Sequence, residues 1–303
     1  MGKGEFMQDY GPIFKEFRIN RGFSLKQIAC DDLSISQLSR FERGESNISL
    51  NKFLLALQTI QLSLDEFMNR ANNYKKLGQK KFMSQMAVYH YQKDAQGLEK
   101  MIQEQEEQKK LEKDFTDIQA KLNIILFRGM ICQCDETRTM SKEDLDFVID
   151  YLFQKENWEI GDLILIGNFY TFYPTPLMSR MVREILKRVD YYSEISTNRN
   201  LVECTLINMI EIYTERGELE EASFFEKEAE KLLSNERNAY HRMVFLYEKG
   251  FLKYAKGDFS GIDDIKNAIF CFEVTGAINH AKHYLATTNL IKSKTTKSIA
   301  KNW

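Results

Sequence analysis

The chain has 303 residues, of which 43% are hydrophobic and 28% charged, a composition typical of soluble globular proteins with room for two domains. A formal net charge of -2 excludes a general affinity for polyanions, so contact with nucleic acid requires a local basic patch. The sequence shows neither a run of about 18 apolar residues nor a signal-peptide pattern, so we expect a cytoplasmic protein without a membrane span. Only 3 prolines and 15 glycines punctuate the chain, which favours an all-α fold.

Five short helices are predicted within residues 7–70, which we interpret as one compact domain. Their start signals are a proline and four serines, at Pro12, Ser24, Ser34, Ser49 and Ser63. Ser24 and Ser63 are each followed three residues later by Gln or Glu, the pattern of a capping box. Gly44 is expected to end the third helix.

The second and third of these helices, joined by a tight turn, have the spacing of a DNA-reading helix-turn-helix. The third helix exposes side chains that can hydrogen-bond to base edges, which are Ser36, Gln37, Ser39 and Arg40. Basic residues placed for phosphate contacts are Arg18, Arg21, Lys26 and Arg43. We expect Glu42 to hold Arg18 or Arg43 in an ion pair. The alternative is a small helical bundle with a solvated basic face.

The local charge of this region is modest. Residues 11–43 contain six basic and four acidic side chains, a net of only +2. One such domain should bind DNA weakly, so we expect a homodimer that contacts two half-sites of double-stranded promoter DNA.

Residues 71–113 are polar and helix-forming, and we interpret them as connecting helices or a linker. The run at 103–113 fits either a solvated helix face or part of a dimer contact. From 114 to 303 the sequence repeats a long apolar-periodic helix, a glycine turn and a second amphipathic helix. The turns at Gly217 and Gly257 lie 40 residues apart, and 157–163 resembles an earlier, diverged unit.

This pattern predicts tetratricopeptide-like helical pairs stacked into a right-handed superhelix. The concave face of such a superhelix commonly holds an extended peptide. A peptide could be bound by asparagine amides that hydrogen-bond to its backbone, by arginines that pair with a carboxylate, and by tyrosines that line an apolar groove with a polar edge. The candidate residues of these three types are Asn168, Tyr170, Arg180, Arg183, Asn208, Tyr213 and Tyr240. The alternative for each is packing or capping between helices.

Nothing in the sequence indicates an enzyme, a cofactor or a metal site. The phosphate-binding, dinucleotide-binding and nucleophile-elbow motifs are absent. The five cysteines are irregularly spaced and are expected to be reduced thiols, at positions Cys30, Cys132, Cys134, Cys204 and Cys271. His280 and His283 lie one helical turn apart, but no neighbouring ligand set completes a metal site.

The stretch from Ser24 to Phe53 resembles the helix-turn-helix of the Rgg-type transcription regulators of Gram-positive bacteria. Its most specific part is S-Q-L-S-R-F-E-R-G-E-S, from Ser36 to Ser46. The helical remainder and the length are also similar to that family, which belongs to a wider peptide-sensing group with Rap, NprR, PlcR and PrgX. The resemblance implies a homodimeric cytoplasmic regulator whose C-terminal domain binds a short imported signalling peptide.

We therefore expect a quorum-sensing transcription regulator controlled by a short hydrophobic peptide, with RNA polymerase as a further contact. Two alternatives stay open. In one, the repeats form a protein-interaction scaffold. In the other, the regulator has no peptide ligand.

Overall fold

A computed structural model describes residues 10–72, 84–86, 88–90, 92–111, 117–135, 137–194, 196–233 and 238–301. Within these ranges α-helices joined by turns and loops are the regular secondary structure, with one isolated bridge between Cys30 and Leu33, so the expected all-α class is confirmed. The chain separates into two compact units, 1–88 and 89–303. The expected domain start at residue 7 and the boundary at 113/114 lie outside the described residues.

The N-terminal unit contains five described helices. They are α1 (Tyr10–Asn20), α2 (Leu25–Ile28), α3 (Ile35–Glu42), α4 (Leu50–Thr59) and α5 (Leu64–Ala71). Each of the four expected serine caps accepts a hydrogen bond from the backbone N–H three residues on, at Ser24, Ser34, Ser49 and Ser63. Ser34 also forms a full capping box with Gln37, in addition to the two expected boxes. Gly44 follows α3 with a φ of 71°, as expected for a glycine stop.

Aromatic side chains from four helices form the centre of this unit. Phe14, Leu38 and Phe67 are fully buried in one cluster. Phe53 and Phe67 meet edge to face with ring centroids 4.9 Å apart. Gly11 lets α1 approach α3, because a Cβ at this position would collide with the Phe41 carbonyl. The core therefore fixes α3 with its polar side facing outward.

The C-terminal unit continues with eleven described helices. They are α6 (Ala95–Leu111), α7 (Asp117–Cys134), α8 (Lys142–Phe153), α9 (Ile160–Asn168), α10 (Thr175–Leu186), α11 (Val189–Glu194), α12 (Ser196–Glu215), α13 (Leu219–Leu232), α14 (Ala239–Ala255), α15 (Gly261–Val274) and α16 (Ile278–Lys301). Successive helices pack as pairs, α6 with α7, α12 with α13 and α14 with α15.

Helix α6 falls within the stretch expected to connect the domains, yet it carries a buried face. Leu98 and Met101 are buried, and Asn123 of α7 donates to Gln105 Oε1 of α6 at 3.2 Å. This face packs on α7, so α6 contributes to the core of the C-terminal unit.

Glycines shape the repeat at its turns and at one close crossing. Gly217 and Gly257 end α12 and α14 with φ values of 77° and 86°, a conformation that favours glycine. Gly276 follows α15 with the same left-handed conformation, at a φ of 77°. Gly250 of α14 and Gly261 of α15 allow close contact of the two helices, since a Cβ on Gly250 would lie 2.7 Å from the Gly261 carbonyl oxygen.

The first helices of successive pairs touch one another and form a row, which we call the first-helix row: α9, α12, α14 and α16. Asn208 of α12 donates to the Gly167 carbonyl of α9 at 3.1 Å. The hydroxyl of Tyr247 on α14 donates to the Tyr284 carbonyl of α16 at 3.2 Å. Side chains therefore connect helices at both ends of the row.

Candidate DNA-reading and ligand-binding sites

Helix α3 presents the side chains expected to read bases. Leu38 and Phe41 anchor it in the core, while Ser36, Gln37 and Arg40 are exposed. Ser39 is half-buried, and its hydroxyl accepts from the Arg43 guanidinium. Three of the four candidate base-reading residues therefore share an accessible surface.

The Arg18 side chain points into the N-terminal unit, although it was expected to contact a phosphate. Its guanidinium forms two hydrogen bonds with the Glu42 carboxylate, at 2.5 and 2.8 Å, and a third with the Phe23 carbonyl at 2.7 Å. Only 11% of its side chain is exposed. The expectation that Glu42 pairs with an arginine thus agrees with these distances. A phosphate contact by Arg18 does not, because its donors are already used inside the unit.

The other basic candidates stay at the surface. Arg21 is exposed and donates to the Ile60 carbonyl at 3.0 Å, while Lys26 is exposed on α2. Arg43 lies 2.5 Å from Glu45, and this hydrogen bond lowers the pKa of the Glu45 carboxyl.

Sequence reasoning missed Lys52, whose Nζ lies 3.4 Å from Gln37 Oε1. Lys52 could have been found from the sequence, because it follows the Ser49 cap by three residues and so lies in the first turn of α4. The lysine adds positive charge beside the exposed side of α3 and brings a second helix to this surface.

Three peptide-binding candidates lie on or beside the first-helix row. Asn168 Nδ2 donates to the Ile164 carbonyl at 2.7 Å, within α9. Tyr170, just after α9, donates its hydroxyl to Glu211 Oε2 on α12 at 3.1 Å. Asn208 bridges α12 and α9, as described above. All three are partly accessible.

The two arginine candidates lie at a different place, between α10 and α13. Arg183 Nη2 is 2.9 Å from Glu221, and its guanidinium stacks 3.7 Å over the Phe224 ring. Arg180 lines the same open cavity. Tyr213 is buried, and its hydroxyl donates to the Thr175 carbonyl at 2.5 Å.

Tyr240 occupies a third position, where its ring contacts Phe272 of α15 and His280 of α16. The structure therefore divides the seven candidates among three locations. The spacing of these residues along the sequence could not predict their locations, because it does not show how each helix is rotated relative to the next.

One face of α12 carries five polar side chains at spacings of four, four, three and four residues, and we call it the α12 stripe: Asn200, Cys204, Asn208, Glu211 and Glu215. Of these five, only Asn208 is among the peptide-binding candidates predicted from the sequence. The spacing of three or four residues, which places side chains on one face of a helix, could have identified the other four.

An acidic cluster lies at the C-terminal end of this stripe. Burial and repulsion from Glu215 raise the pKa of Glu211 to about 7, although the Tyr170 hydroxyl opposes the shift. Glu248 of α14 is 3% exposed, and burial and the same two carboxylates raise its pKa as well. Its Oε2 atom has no hydrogen-bond partner among the described residues. Such an uncompensated buried carboxyl is costly and is typical of functional surfaces.

Among the described residues, no group of three or more His, Cys, Asp and Glu side chains is placed to hold a metal ion. No helix in the described ranges is long and apolar enough to cross a membrane.

A helix-turn-helix unit followed by paired, tetratricopeptide-like helices defines a class of bacterial transcription regulators with helical-repeat domains. Residues 98–286 match the family described as "HTH-type transcriptional regulator Rgg, C-terminal domain". The chain therefore belongs to the Rgg family of transcription regulators, which are not enzymes.

Solved structures agree over nearly the whole chain. The SHP pheromone receptor Rgg2 of Streptococcus dysgalactiae is 26% identical with a TM-score of 0.75, covering 92% of this chain and 98% of that one. A putative transcriptional regulator from Listeria monocytogenes is 18% identical with a TM-score of 0.82, covering 95% and 99%. PrgX in its complex with cCF10 is 17% identical with a TM-score of 0.72, covering 95% and 94%. The protein is thus an Rgg-family regulator whose structure resembles that of peptide-pheromone receptors.

Proposed function

We propose that this protein is a cytoplasmic, homodimeric DNA-binding regulator whose promoter binding is controlled by a short hydrophobic signalling peptide held on the first-helix row. The observation that carries the proposal is the α12 stripe. Asn208 of the stripe contacts α9, and Glu211 contacts Tyr170, which directly follows α9. Asn200 contacts the start of α14, where its Oδ1 accepts a hydrogen bond from the Asn238 amide at 3.2 Å. A ligand on this stripe would therefore act on three helices at once.

DNA binding rests on the exposed side of α3 with its flanking charges. Gln37 and Arg40 carry the base-reading chemistry, whereas Lys26 and Lys52 supply cations for phosphates. Since the net local charge is small, two copies on neighbouring half-sites give the required affinity.

The first-helix row suits a peptide better than the cavity between α10 and α13. In that cavity Arg183 is already neutralised by Glu221 and covered by Phe224. Asn208, by contrast, has donor and acceptor atoms for a peptide backbone and uses only a donor in the contact with Gly167. Apolar peptide side chains would pack against the partly accessible ring of Tyr170, which contacts the stripe at Glu211.

The test is fluorescence polarisation with the purified full-length protein and its own upstream DNA. It is run with and without synthetic peptides encoded by any adjacent short reading frame. A response to peptide supports both parts of the proposal. Specific DNA binding that no such peptide changes would leave a regulator without a peptide ligand. Absence of specific DNA binding would favour the interaction scaffold.

Two matched variants locate the peptide. Asn208→Ala should weaken the peptide response at least about tenfold, the effect of one lost hydrogen bond that leaves a buried partner unpaired. Arg183→Ala, on the other cavity, should leave the response unchanged. A weaker peptide response in Arg183→Ala, with an unchanged response in Asn208→Ala, would place the site between α10 and α13. The same variants can be used to measure contact with RNA polymerase at the promoter.

A further inference from the structure

A thiol, an imidazole and a carboxylate are aligned between α12 and α14. Cys204 Sγ lies 3.0 Å from His241 Nε2, and His241 Nδ1 lies 2.6 Å from Glu203 Oε2. The Asn238 amide nitrogen is 2.7 Å from the same Nδ1 atom and holds the far side of the ring. A base that faces a nucleophile through one ring nitrogen and a carboxylate through the other is the arrangement that activates cysteine nucleophiles.

The imidazole and the carboxylate of this alignment are buried, while the sulfur is partly accessible. Glu203 is fully buried and His241 is 7% exposed, whereas Cys204 is partly accessible on the α12 stripe. Burial disfavours protonation of His241, but the hydrogen bonds with Cys204 and Glu203 outweigh it and raise the pKa of the imidazole to about 9. The ring is therefore able to hold the thiol's proton at neutral pH.

We propose that Cys204 is an activated thiol that hydrogen peroxide modifies, with His241 as proton carrier and Glu203 as positioning residue. His241 Nε2 takes the proton of the thiol, and the thiolate attacks one oxygen of the peroxide. An S–O bond forms as the O–O bond breaks. The departing hydroxide takes the imidazolium proton and leaves as water. Sulfur is oxidised by two electrons to a sulfenic acid, and the peroxide is reduced by the same two.

Three of the other cysteines provide contrasts within the same molecule. Burial raises the pKa of the Cys132 and Cys134 thiols, so fewer of them are ionised and they should react slowly. Cys30 is exposed. Among the cysteines that the structure describes, Cys204 is the one whose sulfur lies in hydrogen-bond contact with an imidazole nitrogen.

The modified sulfur would lie one helical turn from both Asn200 and Asn208. Oxidation therefore adds a polar group to the surface proposed to hold the peptide. This effect on peptide binding rests on the proposed function, whereas the reactivity of Cys204 does not.

The test exposes the full-length protein to hydrogen peroxide with dimedone as a trap, and measures adduct formation at each cysteine by peptide mass spectrometry. Cys204 should react at least about tenfold faster than Cys30. Glu203→Gln and His241→Gln should each remove most of that advantage. Lys249→Gln, also involving α14 but remote from the thiol, should leave it intact. Equal rates for Cys204 and Cys30 in the unaltered protein would overturn the proposal.

The pH profile keeps the proposal testable where a buried variant fails to fold. An unassisted thiol reacts about tenfold faster for each pH unit gained below its pKa. The Cys204 rate should instead rise less steeply between about pH 6 and 8, because the imidazole nitrogen 3.0 Å away assists removal of its proton, while the Cys30 rate rises as for an unassisted thiol. Parallel rises at the two residues would contradict the assignment. Because no peptide or DNA enters this assay, its failure is separate from failure of the regulator hypothesis.

Discussion

Arg18 and Glu42 join the first and third helices by a bidentate ion pair, with Nε–Oε1 at 2.5 Å and Nη2–Oε2 at 2.8 Å. Their side chains are only 11% and 4% exposed. The pair lies at the C-terminal end of α3 and spans 24 residues of chain. It therefore fixes how α3, the helix proposed to read DNA, is presented, although both side chains are nearly buried.

Glu42→Gln should lower the free energy of unfolding of the N-terminal unit by about 3 kcal/mol, because it leaves a buried guanidinium without its counterion. Urea unfolding followed by circular dichroism measures the change. Glu45→Gln is the matched control, since its pair with Arg43 is about half exposed and contributes little to stability. Similar losses in the two variants would show that the buried pair has no special role.

Arg40→Ala should reduce the preference for the promoter over unrelated DNA by about 1–3 kcal/mol, the contribution of the lost base contact. Lys26→Ala should instead weaken binding to all sequences alike. It should also reduce the slope of log affinity against log salt by about 1. Fluorescence polarisation over a salt series separates the two effects. An Arg40→Ala protein that prefers its promoter as strongly as the unaltered protein does would contradict the role of Arg40 in reading bases.

Gly261→Ala should destabilise the C-terminal unit by about 2 kcal/mol, because the new Cβ would collide with the Gly250 carbonyl and force α14 and α15 apart. Thermal unfolding provides the measurement. Gly161→Ala is the control within a helix, at a position where a Cβ meets nothing within 4 Å. It should be neutral or stabilise α9 by up to about 1 kcal/mol. Destabilisation by Gly161→Ala alone would contradict the role of the close crossing.

The acidic cluster should make the protein less stable as the pH rises from about 4.5 to 7. The pKa of Glu211 is raised to about 7 in the folded state, from an ordinary value of 4.5. In this window the unfolded chain has lost the proton that the folded chain still holds, so ionisation favours unfolding. Above about pH 7 the penalty is complete. The groups facing Glu211 are Tyr170, Glu215 and Glu248, and none of them is a cation.

Glu211→Gln should therefore stabilise the protein by about 2 kcal/mol at about pH 8 and by little at about pH 4.5. Melting temperatures measured across this range give the comparison. Glu230→Gln, whose exposed carboxylate pairs with Lys249, should show no such pH dependence. A stability difference between Glu211→Gln and the unaltered protein that stays constant with pH would rule out the raised pKa.

Local patterns were enough to predict the N-terminal unit. Ser24, Ser34, Ser49 and Ser63 each cap the helix expected of them, because a capping bond spans only three residues and depends on adjacent sequence alone. The same holds for the turns at Gly217 and Gly257, which need a positive φ.

Contacts between distant residues could not be predicted in this way. Arg18 has the helical position of a surface residue, and only the fold reveals that Glu42 takes its donors. Tyr213 lines the cavity beside α10, but its side chain is almost fully buried and its hydroxyl donates to the Thr175 carbonyl of α10. The alignment of Cys204 with His241 spans 37 residues and depends on how two helices of the repeat are rotated. Such rotations follow from packing and are not encoded in spacing along one helix.

The capping box at the start of α3 restricts what Gln37 can offer to a base. Its Oε1 atom accepts from the Ser34 backbone N–H at 3.3 Å and lies 3.4 Å from Lys52 Nζ, so the acceptor half of the amide is occupied. Adenine is read by an amide that donates and accepts together. Without giving up its cap, Gln37 has only its NH₂ to offer, which suits a base edge rich in acceptors, such as that of guanine. If α3 reads bases as proposed, the serine that starts it thereby limits the set of bases that it can distinguish.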